Sequence, residues 1–286
     1  MKTQPLAVLF IIMSDLSFSL MAVCVKFADD VPTTMKILVR NIVSLAIAAV
    51  AVNRMKVPAF GKKSSQPGLW GRSLVGLLSV YFYFYAIENL NIADAAMLNR
   101  IAPFFLMIFA SLFLKEKLSK IHVPALIIIF LGALLIIKPG FNYVLIPAIA
   151  GFLSAVTTGG AQTLIRYVSS KEDPITIVFH FSFVSVLLLL PVVAFTYQEP
   201  TGMQLLALAG TGVFAASGQL ALTYGLKLEK ATILSVFGYS NVIFNAFLGY
   251  FFFGELSDAW SIAGAAIIIA TSVIIFVYNS RHVLPD

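Results

Sequence analysis

Asp15, Arg40 and Arg100 are ionisable residues set in almost wholly apolar surroundings. Charge held away from water is costly, so such side chains usually face a cavity, a partner or a permeating species. An aspartate there can carry a proton or ligate a cation; its plainer role is a hydrogen bond to neighbouring Ser14 or to another helix. A guanidinium keeps its charge and presents a planar fork that matches a carboxylate. Arg40 and Arg100 therefore read as holders of a substrate carboxylate. Their structural alternatives are ion pairs with Asp15, Glu88 or Asp94, or snorkelling toward water.

Uncharged polar residues recur at helical spacing. Ser154, Thr158, Gln162 and Arg166 stand at i+4 intervals and share one helix face. Such a stripe lines a pathway or glues helices together, and the adjacent Gly159-Gly160 admits either a close approach or a local break. Asn241 and Asn245, followed by Gly249, form a similar stripe. Asn99 stands four residues before Pro103, whose missing N–H frees a backbone carbonyl or simply kinks the helix. Tyr81 and Tyr85 share a face with Glu88, which offers aromatic walls beside an acid for a cationic or planar solute, or else packing and interfacial anchoring. Asp15 and His180 are the candidates for proton coupling. Ser217, Ala221 and Gly225 make a small-residue stripe that marks a close helix contact, within the chain or in a homodimer.

The elements that must carry these residues are membrane spans. The chain has 286 residues, 60% hydrophobic and only 11% charged. A soluble domain carries about 25% charged residues. Apolar runs at about 6–27, 35–53, 69–88, 94–114, 121–138, 144–166, 174–197, 203–226, 230–253 and 258–279 are each long enough to cross a bilayer. They predict an all-α integral membrane protein of ten transmembrane helices, the first retained rather than cleaved as a signal peptide. Fourteen basic residues fall in or beside loops on the side of the N-terminus: Lys2, Arg54, Lys56, Lys62, Lys63, Arg72, Lys115, Lys117, Lys120, Arg166, Lys171, Lys227, Lys230 and Arg281. Lys36 and Lys138 alone fall on the other. That bias predicts both termini in the cytoplasm. The net charge of +6 is thus spread over loops and does not imply nucleic acid, and the single Cys24 excludes an internal disulfide and a cysteine metal cluster. No cofactor or metal is expected.

The halves resemble each other at a shift near 140: Glu116 with Glu255, Tyr85-Ala86 with Tyr224-Gly225, Ser14 with Ser154, Lys26 with Arg166. Five helices per half is an odd number, so the halves, 1–140 and 141–286, would be inserted in opposite senses. The segment Ala86 to Ala96, and Pro103 followed by Phe113-Leu114-Lys115-Glu116, resemble the drug/metabolite transporter superfamily, in particular its EamA-type members. Glu255-Leu256-Ser257 and Gly264 fit in the second half, whereas Val242 stands where a proline is expected. The resemblance implies a ten-helix, five-plus-five inverted repeat and a carrier of small metabolites in the cytoplasmic (inner) membrane of a bacterium, surrounded by lipid.

No nucleotide-binding loop, His-Glu-x-x-His or Gly-x-Ser-x-Gly motif occurs, so neither an ATP motor nor a familiar enzyme is expected. An intramembrane enzyme and a channel remain the alternatives from other classes. The arginines favour an anionic group on the cargo, while Asp15, Glu88 and the tyrosines favour a cationic one. A zwitterion, such as an amino acid or its derivative, satisfies both; a cationic drug or amine is the alternative.

Overall fold

The computed structural model describes residues 5–114, 122–137, 145–228, 237–238 and 240–281. Among these the regular structure is helical: α1 (Pro5–Phe27), α2 (Thr33–Met55), α3 (Gln66–Asn89), α4 (Ile92–Asn99), α5 (Ala102–Leu114), α6 (His122–Ile137), α7 (Leu145–Ser169), α8 (Pro174–Thr196), α9 (Gly202–Leu228), α10 (Ser240–Phe253) and α11 (Ala259–Arg281). Six segments are long and apolar enough to cross a membrane, and three shorter apolar helices accompany them. Lys2, Lys115, Glu116, Lys117, Lys120, Lys138 and Lys230 lie outside the described residues.

Helix ends follow turn chemistry. Pro32 precedes α2, and Lys56 ends it in the left-handed conformation, its N–H donating to Val52 O. Asp173 caps α8 by accepting from the Ile175 N–H at 2.9 Å, with Pro174 in the first turn. α3 begins at Gln66, earlier than the sequence indicates, because Pro67 suits its first turn. Arg72, counted beside the loops although it falls within the 69–88 run, lies inside α3 and is only 7% exposed, which corrects its placing.

The expected single span 94–114 is interrupted. α4 stops at Asn99, α5 starts at Ala102, and the turn is closed by Ile101 N–H to Leu98 O (3.2 Å) and Phe104 N–H to Ile101 O (3.0 Å). Pro103 supplies the cause, since it cannot donate to the Asn99 carbonyl and its ring crowds that group.

Close approaches set the packing. α1 lies along α9, where a Cβ on Gly218 would sit 3.1 Å from Phe18 and one on Gly225 would sit 3.0 Å from Ile11. The contact runs through Gly218 and Gly225 rather than Ser217, which is exposed and donates to its own helix at Val213 O. α3 and α5 pack on α7, which stays continuous through Gly159-Gly160, so those glycines serve approach and not a break. A Cβ on Gly159 would lie 2.7 Å from Leu106 N and 2.9 Å from Ala102 O. α2 packs on α8 and α9, and α6 on α11 through reciprocal contact of Gly132 and Gly264.

Large apolar side chains also cover the outside: Phe195 is 92% exposed, and Ile146, Met203 and Ile243 exceed two-thirds. Contiguous apolar surface on that scale is a lipid-facing surface, and the molecule is a multi-pass membrane protein.

At the loop edge, buried Glu172 accepts from the Lys62 N–H at 2.8 Å. Burial by itself would raise its pKa, but hydrogen bonding and the Lys62 charge outweigh that and hold it below the ordinary carboxylate range. A depressed carboxylate pKa contributes stability above the unfolded value, about 4.3, and loses it as pH falls through the folded value.

Two outcomes follow for purified protein in neutral detergent. Gly159→Ala lowers stability by about 1–3 kcal/mol because α5 backbone must move, whereas Gly202→Ala, with nothing within 4 Å, stays within about 0.5 kcal/mol. Melting of wild type against Glu172→Gln should show a stability difference that is present at pH 7 and shrinks on acidification below about pH 4.3; a difference that is independent of pH would refute the assignment.

Candidate functional site

Two depths place the centre of the site. Asp15 is ten residues into α1, about 15 Å from its start, and Arg100 follows eight residues of α4, about 12 Å from the opposite end. Together these distances nearly span a hydrocarbon core of about 30 Å, so the two side chains meet near mid-depth. Arg100 Nη2 donates to Asp15 Oδ1 at 2.8 Å, and Ser240 Oγ, at the start of α10, donates to Asp15 Oδ2 at 2.7 Å. Each carboxylate oxygen is thus engaged by a different helix. The Asp15 side chain is 6% exposed and that of Arg100 26%, so the acid is enclosed while the guanidinium keeps an open side.

The break in the fourth span makes this contact available. Arg100 caps α4, where a cation complements the negative end of the helix dipole. Discontinuous helices at mid-depth recur where transporters bind ions and solutes, because the freed backbone groups line a cavity.

Around the pair lies a connected polar layer. Asn241 Nδ2 donates to Asp15 O at 3.0 Å and to Ser19 Oγ at 2.9 Å, and Asn245 Nδ2 donates to Asn241 O at 2.7 Å. The Oδ1 atom of Asn245 is buried and accepts no hydrogen bond among the described residues. On the other side Asn99 Nδ2 donates to Ser154 Oγ (2.9 Å) and Thr158 Oγ1 (3.3 Å), while Ser79 Oγ lies 2.6 Å from Thr158 Oγ1. Ser14 donates to Gly218 O instead of to Asp15. Of the sequence candidates, Asp15, Arg100, Asn99, Ser154, Thr158, Asn241 and Asn245 therefore fall in two neighbouring networks joined at the Asn99-Arg100 turn.

The remaining candidates stand elsewhere. Gln162 and Arg166 continue the α7 face toward its end, away from Asn99. His180 Nδ1 is 3.0 Å from Ser73 Oγ, and its ring meets Trp70 edge-on, a closed structural environment. Tyr81 is 39% exposed and Tyr85 is partly buried. Glu88, the acid expected beside them, is taken by Lys36 at 2.9 Å and Thr33 at 2.6 Å. Glu88 is therefore neutralised by another helix rather than left open beside the two tyrosines. Arg40 reaches a different cavity, with Arg72.

Sequence inspection missed Ser240, Ser19 and Ser79, because a serine in an apolar helix gives no signal until its partner is known. It also missed Tyr83, which lies within electrostatic reach of the Asp15–Arg100 pair.

At one end of the bundle, polar contacts bridge separate elements. Glu255 pairs with Lys26 and accepts from the Ile92 N–H at 2.7 Å, capping α4, while Lys26 also donates to Leu90 O at 2.9 Å. Ser257 Oγ donates to Asp94 Oδ1 (2.8 Å) and Asn91 Nδ2 to Leu256 O (3.2 Å). These bonds join the end of α1, the α3–α4 junction and the α10–α11 junction.

Comparison with known proteins agrees with this architecture. The EamA-like transporter family matches residues 5–138 and again 145–277. A pseudopaline exporter of Pseudomonas aeruginosa is 33% identical, over 93% of this chain and 94% of its own. Solute carrier family 35 member G1 of Homo sapiens is 23% identical over 94% of this chain and 78% of its own. A solved crystal structure superposes with a TM-score of 0.69 at 18% identity, covering 96% of this chain and 98% of that one, which shows a shared fold. With both of its halves matched, the chain belongs to the EamA-like transporter family and is a transmembrane transporter.

Proposed function

We propose that this protein is a secondary carrier that moves a small zwitterionic metabolite, an amino acid or a derivative of one, by alternating access around Asp15 and Arg100. The observation that carries this reading is the enclosed ion pair set across a helix break at mid-depth. A zwitterion can insert into such a pair: its ammonium replaces Arg100 at Asp15, its carboxylate replaces Asp15 at Arg100, and net charge in the site is unchanged. When the cargo leaves, the pair closes again, so neither charge is stranded in either state. Ser240 and Asn99 supply hydrogen bonds at the edges of the opening.

The ten-helix arrangement, with repeats 1–140 and 141–286 inserted in opposite senses and both termini cytoplasmic, belongs to the same proposal. In that orientation the Lys26–Glu255 and Lys36–Glu88 ties lie at the outer end, so the described state is closed outward. Rocking of one bundle against the other breaks them. Protonation of Asp15 offers a means of coupling, since it releases Arg100. The pseudopaline exporter among the relatives makes export the first direction to test.

Asp15→Asn and Arg100→Gln should each reduce counterflow of labelled amino acids in proteoliposomes by at least about tenfold; Arg100→Gln costs about 3–5 kcal/mol of stability by stranding the enclosed Asp15 carboxylate, and Asp15→Asn costs less because Arg100 keeps an open side. The double variant Asp15→Asn/Arg100→Gln strands none and should regain stability without regaining transport. Wild-type counterflow in the double variant would reduce the pair to a structural lock and end the proposal.

A further inference from the structure

A second set of charges lies between α2, α3, α8 and α9, apart from the Asp15–Arg100 pair. Arg40 and Arg72 are each only 7% exposed. Their guanidinium carbons lie 5.9 Å and 3.9 Å from the centre of the Phe181 ring, so both cations crowd one aromatic side chain. Among the described residues neither is paired with a carboxylate. Among those residues Arg40 donates once, from Nη1 to Asn41 Oδ1 at 3.2 Å. Arg40 Nε, Arg72 Nε and Nη1, and Ser182 Oγ are buried and make no hydrogen bond among the described residues.

Two like charges withdrawn from water without a counter-ion are strongly unfavourable, and aromatic contact offsets a small part of that cost. Snorkelling does not account for Arg72, whose guanidinium extends along α3 toward its C-terminal end, into the space that Gly76 leaves by lacking a Cβ. The backbone is shaped to hold the charge inside. Both arginines and Ser182 line one cavity, together with Ser44 and Gln219, that has about 30 Å³ of free space. A single water needs about 10–15 Å³ on this measure, so the space takes the head of a small anion and not a bulky group. Forked donors from two sides, with a serine hydroxyl, are the chemistry that recognises a planar oxyanion.

We propose that the Arg40–Arg72 cavity binds the carboxylate head of a soluble anion. This goes beyond the zwitterion reading and stands on different residues; it places an additional carboxylate-binding point in the cleft between α2 and α9 on one side and α3 and α8 on the other. The occupant completes the charge balance that the protein leaves open.

The test is thermal melting of delipidated protein in neutral detergent with succinate and with its uncharged diamide, alongside native mass spectrometry for retained phosphatidylglycerol. A ligand that binds the folded state raises its melting temperature with concentration. Succinate should do so and the diamide should not. Arg40→Gln and Arg72→Gln should weaken the succinate response at least tenfold while leaving the ligand-free melting temperature unchanged or raised, which a purely structural arginine would not do. Should either fail to fold, Gly76→Ala keeps the charge but displaces the guanidinium, and should weaken the response as well. The Asp15→Asn/Arg100→Gln variant should keep the full response, so that failure of the transport proposal and failure of this one are separable. No response to succinate, or an undiminished response in the arginine and Gly76 variants, would overturn the assignment. Phosphatidylglycerol retained by wild type and lost from those variants, without a succinate effect, would give the cavity to a lipid headgroup instead.

Discussion

An ion pair inside a bilayer is tolerable only while both partners stay in register, and the Asp15–Arg100 contact imposes that requirement on much of the molecule. The two residues come from different helices that enter from opposite ends. Their meeting at 2.8 Å needs α1 held at a fixed height against the α4–α5 turn, with α10 delivering Ser240 to the remaining carboxylate oxygen. A shift of one helical turn, about 5.4 Å, in any of these would strand a charge in a low-dielectric interior. Helix register here is therefore an electrostatic matter as well as a packing one.

Glycine and proline make that register attainable. Pro103 breaks the fourth span at the level where Arg100 must turn toward α1. Gly159 lets α5 come against α7 at backbone distance, and Gly218 and Gly225 let α1 lie along α9. In lipid there is little hydrophobic gain from pressing one apolar helix on another, so dispersion contacts at close range and interhelical hydrogen bonds hold the bundle. The two polar networks, through Asn241 on one side and Asn99 on the other, supply the latter beside the ion pair.

Charge is distributed unevenly across the membrane's depth. At one end Lys26, Lys36, Glu88 and Glu255 neutralise each other in pairs that bridge separate helices. At the centre acid and base are matched one to one. Between α2 and α3 two arginines share a cavity with no acid of their own among the described residues. In the proposed alternating-access cycle contacts at each end break in turn, and ion pairs shared between helices suit this, being directional and replaceable by water or cargo.

That the chain is helical and lies in a membrane is legible in its residues, because run length, apolarity and scarcity of charge answer to the bilayer. The sequence also singled out Asp15, Arg100, Asn99, Ser154, Thr158 and Asn241, since a charge, a carboxamide or a polar residue repeated at helical spacing stands out in an apolar run, whereas an isolated serine does not. It misplaced Arg72 among charges beside loops, because the space for a buried guanidinium depends on Gly76, a residue silent in any hydropathy profile. Tyr81 and Glu88 share a helix face as expected, yet Glu88 is spent on Lys36 and Thr33, partners 52 and 55 residues away in the chain. Periodicity reports which residues share a face of one helix. Which helix that face meets, and so which charges are neutralised and which left open, is decided only when the helices pack.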